Sequence, residues 1–131
     1  MIKGCISVIP SGDLQTSLRF WIDGLGFTMD REIRNNGRLI GCMVHNETIS
    51  FWLNERAGSS IMPQGYEGIR LYWTPIDIYA IRNRLKQLGF NVTEIEHREY
   101  GQTEFFVSDN DGYHHCFGVD TKSIEGNKTQ I

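Results

Sequence analysis

Apolar and polar residues along this chain alternate in short runs, switch to helical spacing, switch back, and then do all of this again. Lys3 to Ile9 is a β-rich run broken by Pro10-Ser11-Gly12-Asp13. Leu14, Leu18, Trp21 (or Ile22) and Leu25 then recur at helical spacing. Ser11 or Asp13 is placed to cap that helix, and Gly24 and Gly26 to stop it. Phe27 to Ile33, Arg38 to Val44 and Thr48 to Leu53 read as strands. Asn35-Asn36-Gly37 is a hairpin turn signal between the first two, and His45-Asn46-Glu47 joins the last two.

The second half keeps the order. Ile69 to Thr74 predicts a strand ended by Pro75. Asp77 opens a helix carrying Ile78, Ile81, Leu85 and Leu88 on one face, and Gly89 ends it. Phe90 to Glu96 predicts a strand, followed by a long hairpin over Tyr100 to Gly118 with Asp109-Asn110-Asp111-Gly112 at its tip. Gly37 and Gly101 lie 64 residues apart, and so do Asn46 and Asn110. Asp13…Leu25-Gly26-Phe27 recurs as Asp77…Leu88-Gly89-Phe90. A period this long, present twice, is a duplicated β-α-β-β-β module rather than a solenoid. One module buries little alone, so the two are expected to form a single domain over residues 1–131. Module one is expected at about 2–55, a linker at 56–67 and module two at about 68–119. A polar tail without periodicity is expected to fray over 120–131.

Composition narrows the function classes. The chain has 131 residues, 40% apolar and 22% charged, as an ordinary soluble domain does. A net charge of −3 argues against nucleic acid as a partner. No run approaches the ~20 apolar residues of a membrane span, and the run before Pro10 is not a signal peptide. Three cysteines without a CxxC, Cys5, Cys42 and Cys116, favour free thiols and a cytoplasmic, reducing setting.

The duplicated βαβββ order, Pro10…Asp13…Phe20-Trp21…Leu25-Gly26-Phe27, and Tyr100-Gly101…Phe105…Asp109-Asn110-Asp111-Gly112…Phe117 resemble the vicinal oxygen chelate superfamily. This is the glyoxalase/bleomycin resistance protein/dioxygenase group, and the resemblance, over roughly residues 2–120, is closest to bleomycin-resistance proteins. It implies an α+β fold in which two βαβββ modules form a curled sheet with a concave cleft. It also implies a homodimer, with ligand held in grooves between subunits in the bleomycin-binding members. The chain departs from the family pattern at Tyr100, Thr103 and Asn110, where Trp, Arg and Pro are common; the first two sit near the ligand cleft in relatives.

Metal-dependent members carry a His or Glu ligand on the first and last strand of each module. The matching positions here are Ile6, the run Thr48–Leu53, the neighbourhood of Ile69, and Cys116. Divalent metal needs about three or four converging N, O or S donors, so no metal and no cofactor is expected. His114 and His115 are adjacent on a strand, point to opposite faces and cannot share a metal. One is expected to be packed and the other to lie in the cleft or at the surface. Asp109 and Asp111 read as turn residues rather than a calcium loop.

Strand alternation and the 64-residue repeat sort the faces. Ile49, Phe51 and Leu53, with Phe105 and Val107, and Tyr113, His115 and Phe117, are expected under the helices, along with Arg70 and Tyr72. The cleft is expected to hold Ile6, Val8, Ile40, Cys42, Ser50, Trp52, Ile69, Leu71, Trp73, Glu104, Phe106, His114 and Cys116. Trp21 is expected in the core.

From this set Trp52, Trp73, Glu104, Phe106, His114 and Cys116, with Tyr100, are the candidate ligand-binding residues, and no residue is assigned a catalytic role. Trp52 and Trp73 suit stacking on a planar ring, and Glu104 suits pairing with a cation. The same residues could equally fill a core, with Glu104 at its wet rim. The function expected is metal-free binding of an aromatic small molecule, neutral or cationic, in the manner of bleomycin-resistance proteins. The alternatives are a metal-dependent lyase or dioxygenase, and an accessory module without a ligand.

Overall fold

The computed structural model describes residues 1, 3–56 and 70–128. The linker expected at 56–67 and the cleft residue Ile69 lie outside the described residues, apart from Arg56. The chain divides into two compact units, Met1–Pro63 and Gln64–Ile131. Each unit carries a four-stranded mixed sheet with its first strand parallel to its fourth and the rest antiparallel, and neither sheet closes on itself. The fold is α+β, built from two βαβββ modules.

In module one, β1 (Ser7–Ser11) leads to α1 (Leu14–Leu18). Asp13 is the cap: it accepts from the Thr16 amide at 3.3 Å and from the Thr16 hydroxyl at 2.9 Å. The helix then widens into a π-helical stretch, Arg19–Gly24. The extra residue per turn rotates the apolar stripe, so Phe20, Trp21 and Gly24 are buried while Leu25 is only half-buried. Strict 3.6-residue spacing had put Leu25 inward. Trp21 is a core residue, edge-on to Phe27 at 5.4 Å and tilted against Phe51 at 5.1 Å.

The strands β2 (Thr28–Asn35), β3 (Arg38–Asn46) and β4 (Ile49–Glu55) complete this sheet in the order β1-β4-β3-β2. The β2–β3 turn has positive φ at both Asn36 (52°) and Gly37 (79°), as a type I′ hairpin demands.

One expectation about this sheet is corrected. Cys42 does not lie on the face of Trp52; it pairs with Leu53, is fully buried and faces α1 with Val44. The reason is a bulge. Arg34 pairs with Leu39 but Ile33 pairs with Gly41, so Ile40 is an extra residue in β3. A single inserted residue exchanges the two faces of everything beyond it. The repeat is therefore not uniform: Gly41 stands for Glu104, 63 positions on, whereas its partner Asn54 stands for Gly118, 64 positions on.

Module two runs β5 (Arg70–Trp73), α2 (Ile78–Gln87), β6 (Glu96–His97), β7 (Gln102–Ser108) and β8 (His114–Asp120), with sheet order β5-β8-β7-β6. Asp77 caps α2 through the amides of Tyr79 and Ala80. Ile78 and Leu85 are buried beneath it, with Phe105, Val107, Tyr113, His115 and Phe117 on the sheet.

The strand expected over Phe90–Glu96 shrinks to a bridge, Val92 to Val107, and the two residues of β6. Thr93 turns its carbonyl to the Arg82 guanidinium on α2 at 2.8 Å while its amide still donates to the Phe106 carbonyl of β7 at 2.9 Å; its hydroxyl, in place of its carbonyl, accepts from the Phe106 amide at 2.8 Å. Part of the tail expected to fray is helical instead: α3 spans Thr121–Lys128, and residues 129–131 lie outside the described residues. Its start is tied down by the Thr121 amide on the Gly101 carbonyl (2.9 Å) and by the Thr103 and Thr121 hydroxyls at 2.9 Å. These anchors are tertiary, so no periodicity announces them.

Candidate ligand-binding site

On the face of module two away from α2, a cavity of about 350 Å³ is lined by Arg70, Leu71, Tyr72, Tyr100, Glu104, Phe106, His114, His115 and Cys116. Five of the seven residues singled out from sequence meet there: Tyr100, Glu104, Phe106, His114 and Cys116. Trp52 belongs to the other module, where it is half-buried and its Nε1–H donates to Asn54 Oδ1 at 3.1 Å.

Trp73 is placed differently from expectation, and so are Arg70 and Tyr72 on the same strand, whereas Leu71, expected in the cleft, lines the cavity. Parallel pairing sets Arg70 beside His114, Tyr72 beside Cys116 and Trp73 beside Phe117. Arg70 and Tyr72 therefore take the cavity face, while Trp73 takes the α2 face and stacks on His115 and Phe117. A guanidinium under a helix would be desolvated without a partner; the observed register leaves Arg70 exposed instead. Trp73 finds a buried acceptor for its indole N–H in His115 Nδ1, at 2.9 Å.

Glu104 is the centre of the site. It is only 3% exposed, far from a wet rim. The Tyr100 hydroxyl donates to its Oε1 at 2.5 Å and the Tyr72 hydroxyl to its Oε2 at 2.6 Å. Arg98 Nε lies 3.5 Å from Oε1 and extends to Glu96 at 2.8 Å. Burial opposes ionisation of Glu104, but the two hydroxyls and the Arg98 charge outweigh it and hold the carboxyl below the ordinary carboxylate value. Burial first, and then the bond to Glu104, pushes the Tyr72 phenol well up. The bond to Glu104 raises Tyr100, with burial adding to it.

Local sequence explains this geometry. Tyr72 on β5 must cross β8 to reach Glu104 on β7. It crosses at Gly118, the residue paired with Glu104, where any Cβ would collide with the Tyr72 hydroxyl. Tyr100 is delivered by the turn before β7, in which the Gly101 amide donates to the Arg98 carbonyl at 3.1 Å and Gly101 takes φ 88°. Arg98 lies over the Phe106 ring, 5.9 Å from its centroid. Sequence reasoning missed Tyr72, Arg70, Arg98 and Gly118. The Tyr72 and Arg70 faces were assigned from an even alternation without a register to anchor it; Gly118 carries no side chain to attract notice.

The donor set does not fit the divalent metal of the family's metal-dependent members. Ile6 and the run Thr48–Leu53 offer no imidazole, carboxylate or thiol. Burial, with Glu104 nearby, pushes the Cys116 thiol up to about 11, so it is not a ready thiolate. Glu104 has both oxygens engaged. Among the described residues no three His, Cys, Asp or Glu side chains converge as a metal-binding group.

Comparison with known proteins places this geometry. The family model for the Glyoxalase/Bleomycin resistance protein/Dioxygenase superfamily matches residues 6–117. No curated protein is matched by sequence. Among solved structures, the fold resembles the fosfomycin resistance protein FosX from Listeria monocytogenes at 16% identity and TM-score 0.71, covering 94% of this chain and 98% of that one. It resembles TnmS3, an antibiotic binding protein from Streptomyces sp. CB03234, at 19% identity and TM-score 0.65, covering 92% and 98%. A glyoxalase family protein from Enterococcus faecalis is similar at 16% identity and TM-score 0.72, covering 87% and 94%. At such identities the likeness is one of fold. By the family match across both modules, the chain is a member of the Glyoxalase/Bleomycin resistance protein/Dioxygenase superfamily.

Proposed function

We propose that this protein is a metal-independent small-molecule binder that sequesters an aromatic antibiotic or metabolite in the module-two cavity. The observation that carries this reading is the aromatic wall of Tyr72, Tyr100 and Phe106 around a carboxylate whose two oxygens each already accept a tyrosine hydroxyl. Such a wall suits a ring, and a carboxylate held below its ordinary value by two hydroxyls and a guanidinium is a poor base. The presence of fosfomycin-resistance and antibiotic-binding proteins among the structural neighbours supports the same direction. Sequestration needs only affinity and enough protein.

The rest of the proposal concerns setting and assembly. The two modules act as one domain, and the protein works as a homodimer, as members of the family commonly do. It engages neither nucleic acid nor membrane; no helix among the described residues is long and apolar enough to cross a bilayer. A cytoplasmic setting is supported by free thiols at Cys5, Cys42 and Cys116.

The test pairs calorimetric titration of purified protein against planar aromatic compounds, including a bleomycin-type glycopeptide, with elemental analysis. Saturable binding, ligand recovered unaltered, and a metal-to-chain ratio near zero after soaking in zinc, nickel and iron are expected. Ligand turnover, or stoichiometric metal required for binding, would overturn the proposal in favour of a lyase or dioxygenase.

A further inference from the structure

The charges around the cavity are not evenly matched. Glu104 is answered by Arg98 at 3.5 Å, and Arg98 in turn reaches Glu96. Among the described residues that line the cavity Glu104 is the one carboxylate, so a cationic ligand would have to compete there with Arg98 and two tyrosine hydroxyls. Arg70 is the opposite case. It lines the same cavity, it is exposed, and among the described residues no carboxylate lies within ion-pair distance of it. His114 sits directly opposite Arg70 in the β5–β8 register and lines the cavity too. Its Nδ1 lies 3.3 Å from Ser108 Oγ, and its Nε2 has no partner among the described residues.

We propose that the cavity takes an anionic aromatic small molecule, with its carboxylate or phosphonate on Arg70 and His114 and its ring among Tyr72, Tyr100 and Phe106. This rests on the binding reading above and gives it a ligand class. A guanidinium offers parallel N–H donors that match a carboxylate or phosphonate in a two-point bond. Parallel strands hold neighbouring residues about 4.8 Å apart, so the Arg70 guanidinium and the His114 imidazole can reach the same anion. A cavity of about 350 Å³ lies at the small end of ligand sites, which suits a one- or two-ring compound. The arrangement also separates two roles on one face: Glu104 organises the tyrosines, and Arg70 is left for the ligand.

The test uses three probes of the same shape on the full chain: 2-naphthoate, 2-naphthamide and 2-naphthylmethylammonium. Affinity is measured by calorimetry, and the contact surface by amide chemical shifts. The expected order is naphthoate tightest, with shifts on β5 and β8. Arg70→Gln should weaken naphthoate roughly ten- to hundred-fold and leave naphthamide unchanged. Arg70→Lys should recover part of the loss. Because Arg70 is exposed, Arg70→Gln should unfold at the wild-type urea midpoint, which separates lost binding from lost folding. Equal affinity for all three probes, or tightest binding of the ammonium, would overturn the anionic assignment while leaving the aromatic-binding reading intact. Binding of none of them at millimolar concentration would overturn both.

Discussion

The Tyr72 hydroxyl reaches Glu104 Oε2 at 2.6 Å by passing over Gly118, three strands being joined by one side chain. Tyr72 starts on β5, Gly118 lies on β8 and Glu104 on β7. The bond exists because β8 presents no side chain at the crossing point, and the buried carboxylate stays ionised partly because the bond exists.

Gly118→Ala therefore tests the centre of the site. The new methyl would occupy the place of the Tyr72 hydroxyl, and the ring must leave. Stability should drop by about 1–3 kcal/mol through overpacking. The Tyr72 phenol should fall back toward its ordinary value of 10.0. Ultraviolet titration of phenolate formation reads this directly; an unchanged high-pH titration in the variant would show that Tyr72 is held by something other than this crossing.

Glu104 makes the acid limb of stability predictable. Its folded-state value lies below the ordinary 4.5, so its contribution is present above 4.5 and is lost as pH falls through the depressed folded value. Glu104→Gln removes this dependence. Urea unfolding of wild type and variant from pH 7 to pH 3 should show a gap that narrows below about 4.5. Tyr72 and Tyr100 act in the opposite sense: both are raised, so their contribution is present below 10.0 and lost as pH climbs further.

On the α2 side of the same sheet, the half-buried Trp73 and the buried His115 and Asp109 form a hydrogen-bonded chain. An indole N–H can only donate, so His115 Nδ1 accepts from Trp73 and its Nε2–H donates to Asp109 Oδ2 at 2.8 Å. Asp109 Oδ1 accepts from the Asp111 and Tyr113 amides and so shapes the turn before β8. His115→Leu strands a buried donor and a buried carboxylate oxygen, at a cost of about 2–4 kcal/mol in urea unfolding. Trp73→Phe should cost less, about 1–2 kcal/mol, and leave ligand affinity unchanged, since Trp73 lies on the α2 face. A large affinity loss in Trp73→Phe would place that ring at the ligand after all.

Thiol reactivity should rank the cysteines. Cys5 is exposed, Cys116 half-buried and Cys42 buried. Burial, with Glu32 contributing, pushes Cys42 up to about 11, and burial, with Glu104 contributing, does the same for Cys116. At pH 8 such thiols are ionised on the order of one part in a thousand. With an aromatic disulfide reagent, Cys5 should react first and Cys116 slowly, more slowly still with ligand bound. Cys42 should react only on unfolding. Fast modification of two thiols in native protein would contradict the placement of Cys116.

Much of the architecture was legible in the chain itself, because it depends on local chemistry. Asp13 and Asp77 cap helices wherever they stand before an apolar stripe, and Asn36-Gly37 adopts the one backbone shape its hairpin allows. Two such modules in one sequence announce the duplication and the fold class. Alternation also placed Glu104, Phe106, His114 and Cys116 correctly on one face, since β7 and β8 are regular and pair residue for residue.

What the sequence could not decide is everything that depends on how strands are registered. The bulge at Ile40 turned Cys42 inward, and parallel pairing to β8 sent Trp73 to the helix side and Tyr72 and Arg70 to the cavity. Register is a non-local property: it is chosen by the sum of contacts along two distant segments, and a single-residue slip reverses every side chain beyond it. The charge of the site follows the same rule. Only the tertiary structure decides that Glu104 is engaged by Tyr72, Tyr100 and Arg98 while Arg70 meets no carboxylate among the described residues, because that depends on which groups from separate strands come together.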